Sequence, residues 1–104
     1  MAQWEGALAT LERVPQPRRD AEYHALAAAL AQRAGKAEVS VMQYQAALAT
    51  GAPRAAWLTG LAAALEQLGR RAEAVAAYRQ ALELHESAGA ASDFARQRLA
   101  ELEP

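Results

Sequence analysis

Shifted by 34 positions, the stretch from Trp57 to Leu84 falls on the stretch before it without a gap. Tyr78 lands on Tyr44, Gly69 on Gly35, Ala81 on Ala47, Leu82 on Leu48, Val75 on Val41 and Ala62 on Ala28, and Trp57 lands on the aromatic Tyr23. A constant period of this length restricts the chain to units that fold locally and pack on neighbours of the same kind. Within the second copy, Trp57, Leu61, Leu65 and Leu68 recur at steps of four, four and three, which keeps them on one face of a helix. Gly69 interrupts that helix, because only glycine takes a left-handed cap conformation without a Cβ penalty. Ala74, Val75, Tyr78, Ala81 and Leu82 then restart the pattern, with small residues that let two helix backbones approach and a ring to fill the space beside them.

The composition points the same way. Roughly three residues in ten are alanine, and isoleucine and asparagine are absent; this bias favours helix and disfavours strands, which want branched and aromatic residues. The expected class is all-α, with about six helices joined by short loops and therefore antiparallel to their neighbours. The first helix is read over Trp4–Val14, with Ala7, Leu8 and Leu11 as its apolar stripe and Pro15 and Pro17 ending it. Asp20 caps a helix from Ala21 to Ala34, and Lys36 or Ala37 opens one that runs to about Thr50. Gly51-Ala52-Pro53 is a stop followed by a start. The hairpin Trp57–Leu68 and Arg71–Leu84 follows, then a small-residue loop over Ser87–Ala91. Ser92 or Asp93 opens a last helix, with Phe94, Leu99 and Leu102 apolar and Arg96, Arg98 and Glu101 polar.

These assignments give a single domain over residues 1–104. A half-repeat helix covers 4–14, one repeat 20–50, a second repeat 54–86 and a capping helix 92–103. The opening helix precedes a first-of-pair helix, so it reads as the second helix of a repeat whose first is missing, as in a chain cut from a longer array; a natural N-terminal cap is the alternative.

Several function classes lose support. A formal net charge of −1 gives no bulk electrostatic case for nucleic acid or an anionic membrane. There is no cysteine, hence no disulfide, thiol nucleophile or zinc-finger spacing. No basic-then-apolar leader is visible, and the alanine-rich run Ala25–Ala31 falls well short of the ~20 residues that span a bilayer. His24 and His85 have no second ligand at metal spacing, although Asp20 lies one turn from His24. No nucleophile elbow, zinc-protease motif or phosphate loop occurs, and only two aspartates are present. The reading is therefore no catalytic residue, no cofactor and no metal. Tyr23, Tyr44, Trp57 and Tyr78 form either an aromatic binding strip or, at repeat-equivalent positions, the core. Arg18-Arg19 and Arg70-Arg71 read as solvated pairs.

The spacing resembles the tetratricopeptide repeat (TPR). The residues that carry it are Trp57, Leu61, Ala62, Gly69, Ala74, Tyr78 and Ala81, and upstream Tyr23, Ala27, Ala28, Gly35, Ser40, Tyr44 and Ala47. Ala27 departs from the family's Leu and Ser40 from its small Ala. The late proline stands one place late at Pro53, and Glu86 replaces it after the second copy. The resemblance implies a right-handed solenoid of helical hairpins whose first helices line a concave groove for a protein or peptide partner. Carried across by position, the groove takes Glu22, Ala25, Ala29, Gln32 and Arg33 from the first copy. From the second it takes Ala56, Thr59, Gly60, Ala63, Glu66 and Gln67. The basic and asparagine residues with which chaperone-binding members clamp a C-terminal carboxylate are absent there. A charge reversal, Glu66→Lys, would then weaken partner binding and leave the fold intact.

The order of features is also similar to the C-terminal tetratricopeptide region of bacterial MSHA-type pilus biogenesis proteins of the MshN kind. The shared run is a helix ending in a Pro-containing linker, DAEYHALAAALAQRAGKAE, a Trp-initiated hairpin and a final FARQRLAEL. That resemblance implies a non-catalytic scaffold for assembly of an MSHA-like or type IV-like pilus, periplasmic or membrane-associated through an anchor elsewhere. The alternatives are a general cytoplasmic adaptor or secretion chaperone of the same fold and, more remotely, an enzyme or metal-binding domain. Weak self-association through the N-terminal half-repeat is a further expectation.

Overall fold

A computed structural model describes residues 2–13, 20–84 and 89–103. Among them are six helices and no strand: α1 (Ala2–Glu12), α2 (Ala21–Arg33), α3 (Ala37–Thr50), α4 (Ala55–Gln67), α5 (Arg71–Glu83) and α6 (Ala90–Leu102). The chain divides into two compact units, Met1–Ala52 and Pro53–Pro104. α2 begins at Ala21 and α4 at Ala55, 34 residues on; α3 begins at Ala37 and α5 at Arg71, again 34 residues on.

The period is written into the turns. Gly35 and Gly69 have φ of 80° and 75°, in the left-handed region that only glycine enters without strain. After α2, Lys36 N–H reaches back to Ala31 C=O at 2.8 Å and Gly35 N–H to Gln32 C=O at 3.2 Å. After α4, Arg70 N–H reaches Leu65 C=O and Gly69 N–H reaches Glu66 C=O, both at 2.9 Å. Each pair is a Schellman cap, in which otherwise orphaned helix-end carbonyls are satisfied as the chain reverses. A Cβ built on either glycine meets nothing within 4 Å, so alanine there pays in backbone conformation alone. Gly35→Ala and Gly69→Ala are each expected to cost about 1–2 kcal/mol in urea unfolding. A loss below a few tenths for both would refute the turn assignment.

In the first unit, α2 and α3 form the hairpin and α1 packs on α2. Asp20 caps α2 by accepting from Tyr23 N–H at 2.9 Å. Leu8 of α1 is buried with Ala27 and Ala31 of α2, and Leu30 and Val39 close over them. Tyr23, Val41, Tyr44 and Ala47 are buried as well. Ser40 is fully buried, and its hydroxyl has no hydrogen-bond partner among the described residues; the second unit has Ala74 at this position, equally buried. An unsatisfied buried hydroxyl carries a desolvation cost that alanine does not. Ser40→Ala is therefore expected to stabilise the unit by about 1 kcal/mol, raising Tm by about 4–8 °C. An unchanged or lowered Tm would count against it.

In the second unit, α4 and α5 form the hairpin and α6 lies on both. Trp57, Leu58, Leu61, Ala62, Ala64 and Leu65 of α4 are buried, as are Ala74, Ala77, Tyr78 and Ala81 of α5. Tyr23, Tyr44, Trp57 and Tyr78 are thus all interior, which decides the aromatic-strip question for the core. Arg54 keeps its guanidinium 5.0 Å above the Trp57 ring.

Three helices differ from expectation by two residues or more at a boundary. α1 runs over Ala2–Glu12 in place of Trp4–Val14, and Val14 to Arg19 lie outside the described residues. α4 starts two residues earlier than Trp57, because Arg54 C=O already accepts from Trp57 and Leu58 N–H. α6 begins at Ala90, inside the expected Ser87–Ala91 loop. Gly89, in an extended conformation, takes the cap position assigned to Ser92 or Asp93, and its C=O accepts from Asp93 N–H at 3.0 Å. Ser87, Ala88, His85 and Glu86 lie outside the described residues.

Candidate functional site

The groove residues assigned from repeat position fall into two sets, one in each unit. On α2, Glu22 and Arg33 are exposed, and Ala25, Ala29 and Gln32 are half-buried. The same face carries Leu26, 52% exposed, one turn after Glu22 and three residues before Ala29. Sequence reasoning passed over it, because Leu26 stands where the second copy has Gly60 and a search for agreement between copies discards mismatches. The mismatch was itself the signal, since it replaces the smallest side chain with a large apolar one.

The surroundings of this face are fixed. Arg33 stacks its guanidinium 5.1 Å above the ring of Trp4 on α1, a cation–π contact that holds one end of the face in place. Arg33 also acts on the buried Tyr44 phenol. Burial pushes that phenol above its ordinary range, and the nearby guanidinium opposes the rise. His24 stands edge-on to Tyr23, with ring centroids 5.2 Å apart, and its Nδ1 lies 2.7 Å from Gln43 Oε1 of α3. The histidine ties α2 to α3.

On α4, Ala56 and Gln67 are exposed and Gly60 and Ala63 are half-buried. Thr59 and Glu66 differ, because both lie under α6 and not in an open groove. Thr59 is buried, and its hydroxyl donates to Ala91 C=O at 3.4 Å. Glu66 accepts from Arg98 Nε at 3.2 Å, from Arg98 Nη2 and from the Tyr78 hydroxyl. From Thr59 to Glu66, and from Ala91 to Arg98, is two helical turns, so α6 runs alongside α4 in the same direction. Arg98 also pairs with Glu101 on its own helix. The Arg98 guanidinium, chiefly by hydrogen bonding, holds the Glu66 carboxyl below its ordinary range; burial opposes this, and the Tyr78 hydroxyl assists. Burial, and then the Glu66 carboxylate, push the Tyr78 phenol well above its usual value. The Arg98 guanidinium is likewise held protonated by Glu66. At neutral pH the cluster is an ionised carboxylate between a permanent cation and a neutral phenol donor.

The remaining sequence candidates sit apart from either set. Arg70 pairs with Glu73 one turn on, at 2.7 Å, and Arg71 donates to Leu102 C=O. Arg71, Ala72, Val75, Leu102 and Glu103 line an open cleft of about 490 Å³. Among the described residues, no group of three His, Asp or Glu is placed to hold a metal ion, and no helix is long and apolar enough to cross a membrane.

A comparison with protein-family models, with curated proteins and with solved structures found no match to this chain.

Proposed function

We propose that the chain is a non-catalytic scaffold of tetratricopeptide type, a short right-handed array of helical hairpins that binds a protein or peptide partner. Its support is the pair of Schellman turns 34 residues apart, together with the matched burial of Tyr44 and Tyr78, Ala47 and Ala81, and Ala28 and Ala62. The narrower setting, assembly of a bacterial complex such as an MSHA-like or type IV-like pilus, rests on the order of sequence features alone.

The observation that carries partner binding is Leu26. An isolated exposed leucine is ordinary. This one stands on the face that the repeat resemblance assigns to the partner, with half-buried Ala29 beside it and Glu22 and Arg33 at the two ends. An apolar anchor bordered by polar ends is the usual anatomy of a small binding hot spot. The test is a displayed-peptide selection on the purified chain, followed by affinity measurement on Leu26→Glu. Enriched peptides should lose at least tenfold in affinity with the melting temperature unchanged, since Leu26 is largely outside the core. No enrichment, or equal affinity for both chains, would overturn the reading. Co-purification with pilus-assembly components tests the narrower setting separately.

A further inference from the structure

The helix α6 is attached to its unit in a different way from α4 and α5. α5 buries Ala74, Ala77, Tyr78 and Ala81, whereas α6 buries only Ser92 and Ala95. Its large apolar side chains are less covered: Phe94 is 41% exposed, with its ring edge-on to Tyr78 at 6.0 Å, and Leu99 and Leu102 are half-buried. Four polar contacts tie α6 to the hairpin along its length, namely Thr59 to Ala91 C=O, Glu66 to Arg98, Arg71 to Leu102 C=O and Arg79 to Glu103. A helix of 13 residues is marginal by itself; of its two ion pairs to the hairpin, Arg79–Glu103 is exposed, hence weak and screened by salt, and Glu66–Arg98 is only partly buried. The elements with the fewest buried apolar contacts open first.

The surface under α6 is nevertheless specific. Tyr78 is fully covered and donates to Glu66. Glu66 is a carboxylate set to receive one guanidinium, and Thr59, two turns before it, is a hydroxyl set to meet a backbone carbonyl. The complementary pattern on α6 is Ser92, Ala95 and Arg98, small residues three apart with an arginine three further on.

We propose that α6 is a resident but displaceable occupant of a helix-receiving face on α4 and α5. The face takes in its place a partner helix of the same chemistry: two small residues three apart, an arginine three beyond them, and a large apolar residue to meet Tyr78. The chain thereby carries a self-masking contact, and a partner helix reaches the Glu66–Tyr78 face only as α6 leaves it. This second surface is independent of the Leu26 face.

The probe is a fluorescent peptide of residues 89–103, with a second peptide carrying Arg98→Glu as control. Anisotropy is measured against the full chain and against the full chain bearing Arg98→Ala, which weakens the resident helix and leaves the hairpin side chains in place. The first peptide should bind the Arg98→Ala chain about tenfold more tightly than the unaltered chain, and less tightly as salt is raised. The control peptide should bind neither chain. Hydrogen exchange on the unaltered chain should show the amides of α6 opening faster than those of α4 and α5, and more so at high salt. Leu26→Glu should leave peptide binding unchanged. Absence of binding, equal binding of the control peptide, loss of binding on Leu26→Glu, or α6 exchange as slow as that of α5 would each overturn the proposal.

Discussion

Tyr78→Ala is expected to remove ~3–5 kcal/mol of stability, the usual cost of deleting a fully buried aromatic. That is a large share of the ~5–15 kcal/mol that holds an ordinary domain together. Tyr78 is the largest side chain with essentially no exposure, and its ring touches Phe94 on α6 while its hydroxyl donates to Glu66 on α4. Removing it opens a cavity between α4, α5 and α6. Tyr78→Phe separates the two contributions. It keeps the ring and removes only the donor to Glu66, at a cost of about 1 kcal/mol. Urea unfolding of both variants decides the matter. A loss for Tyr78→Ala no larger than that for Tyr78→Phe would show that the hydroxyl, and not packing, holds the unit.

The second large effect belongs to Glu66→Lys. The sequence alone presents Glu66 as a groove residue whose reversal spares the fold, and the structure corrects that expectation. A lysine at 66 faces Arg98 with like charge and leaves the Tyr78 hydroxyl without its acceptor. The expected loss is about 1.5–3 kcal/mol, the range for a hydrogen bond to a charged group. The same carboxylate makes stability depend on pH in a defined direction. Its proton affinity is depressed in the folded chain. Its contribution is thus complete above the ordinary carboxylate range of the unfolded chain and is lost as pH falls through the lower folded value. Urea midpoints followed downward from pH 6 should fall more steeply for the unaltered chain than for Glu66→Gln. Identical slopes would mean that Arg98 and Glu66 do not interact in solution.

The hairpins were legible in the sequence because their determinants are local. Gly35 and Gly69 mark left-handed turns by residue type, and Tyr44, Tyr78, Ala47 and Ala81 repeat at the spacing that a two-helix unit needs. The fate of Thr59 and Glu66 was not legible. Periodicity tells which residues share a face of α4 but not which helix covers that face, and α6 follows in sequence without a third copy of the motif to announce it. The start of α6 was misplaced for a related reason. Ser92 and Asp93 have the side chains of a good cap, yet Gly89 takes that position in an extended conformation and Ala90 and Ala91 join the helix behind it. Arg98 reads in the sequence as one of several solvent-facing charges, and only the fold, by partly burying it beside Glu66, sets it apart from the exposed Arg96.

The two positive-φ glycines have a stereochemical consequence. A backbone at φ of 75–80° is disfavoured for an L-residue and, as the mirror image of a relaxed L conformation, is relaxed for its D-enantiomer. The open space around a Cβ at these sites means that nothing else stands in the way. In a chemically synthesised chain, D-alanine at 35 or 69 should therefore raise stability where L-alanine lowers it, because it restricts the unfolded chain without straining the turn. The handedness of two single carbon centres would then set, with no change in composition, whether each hairpin is strengthened or weakened.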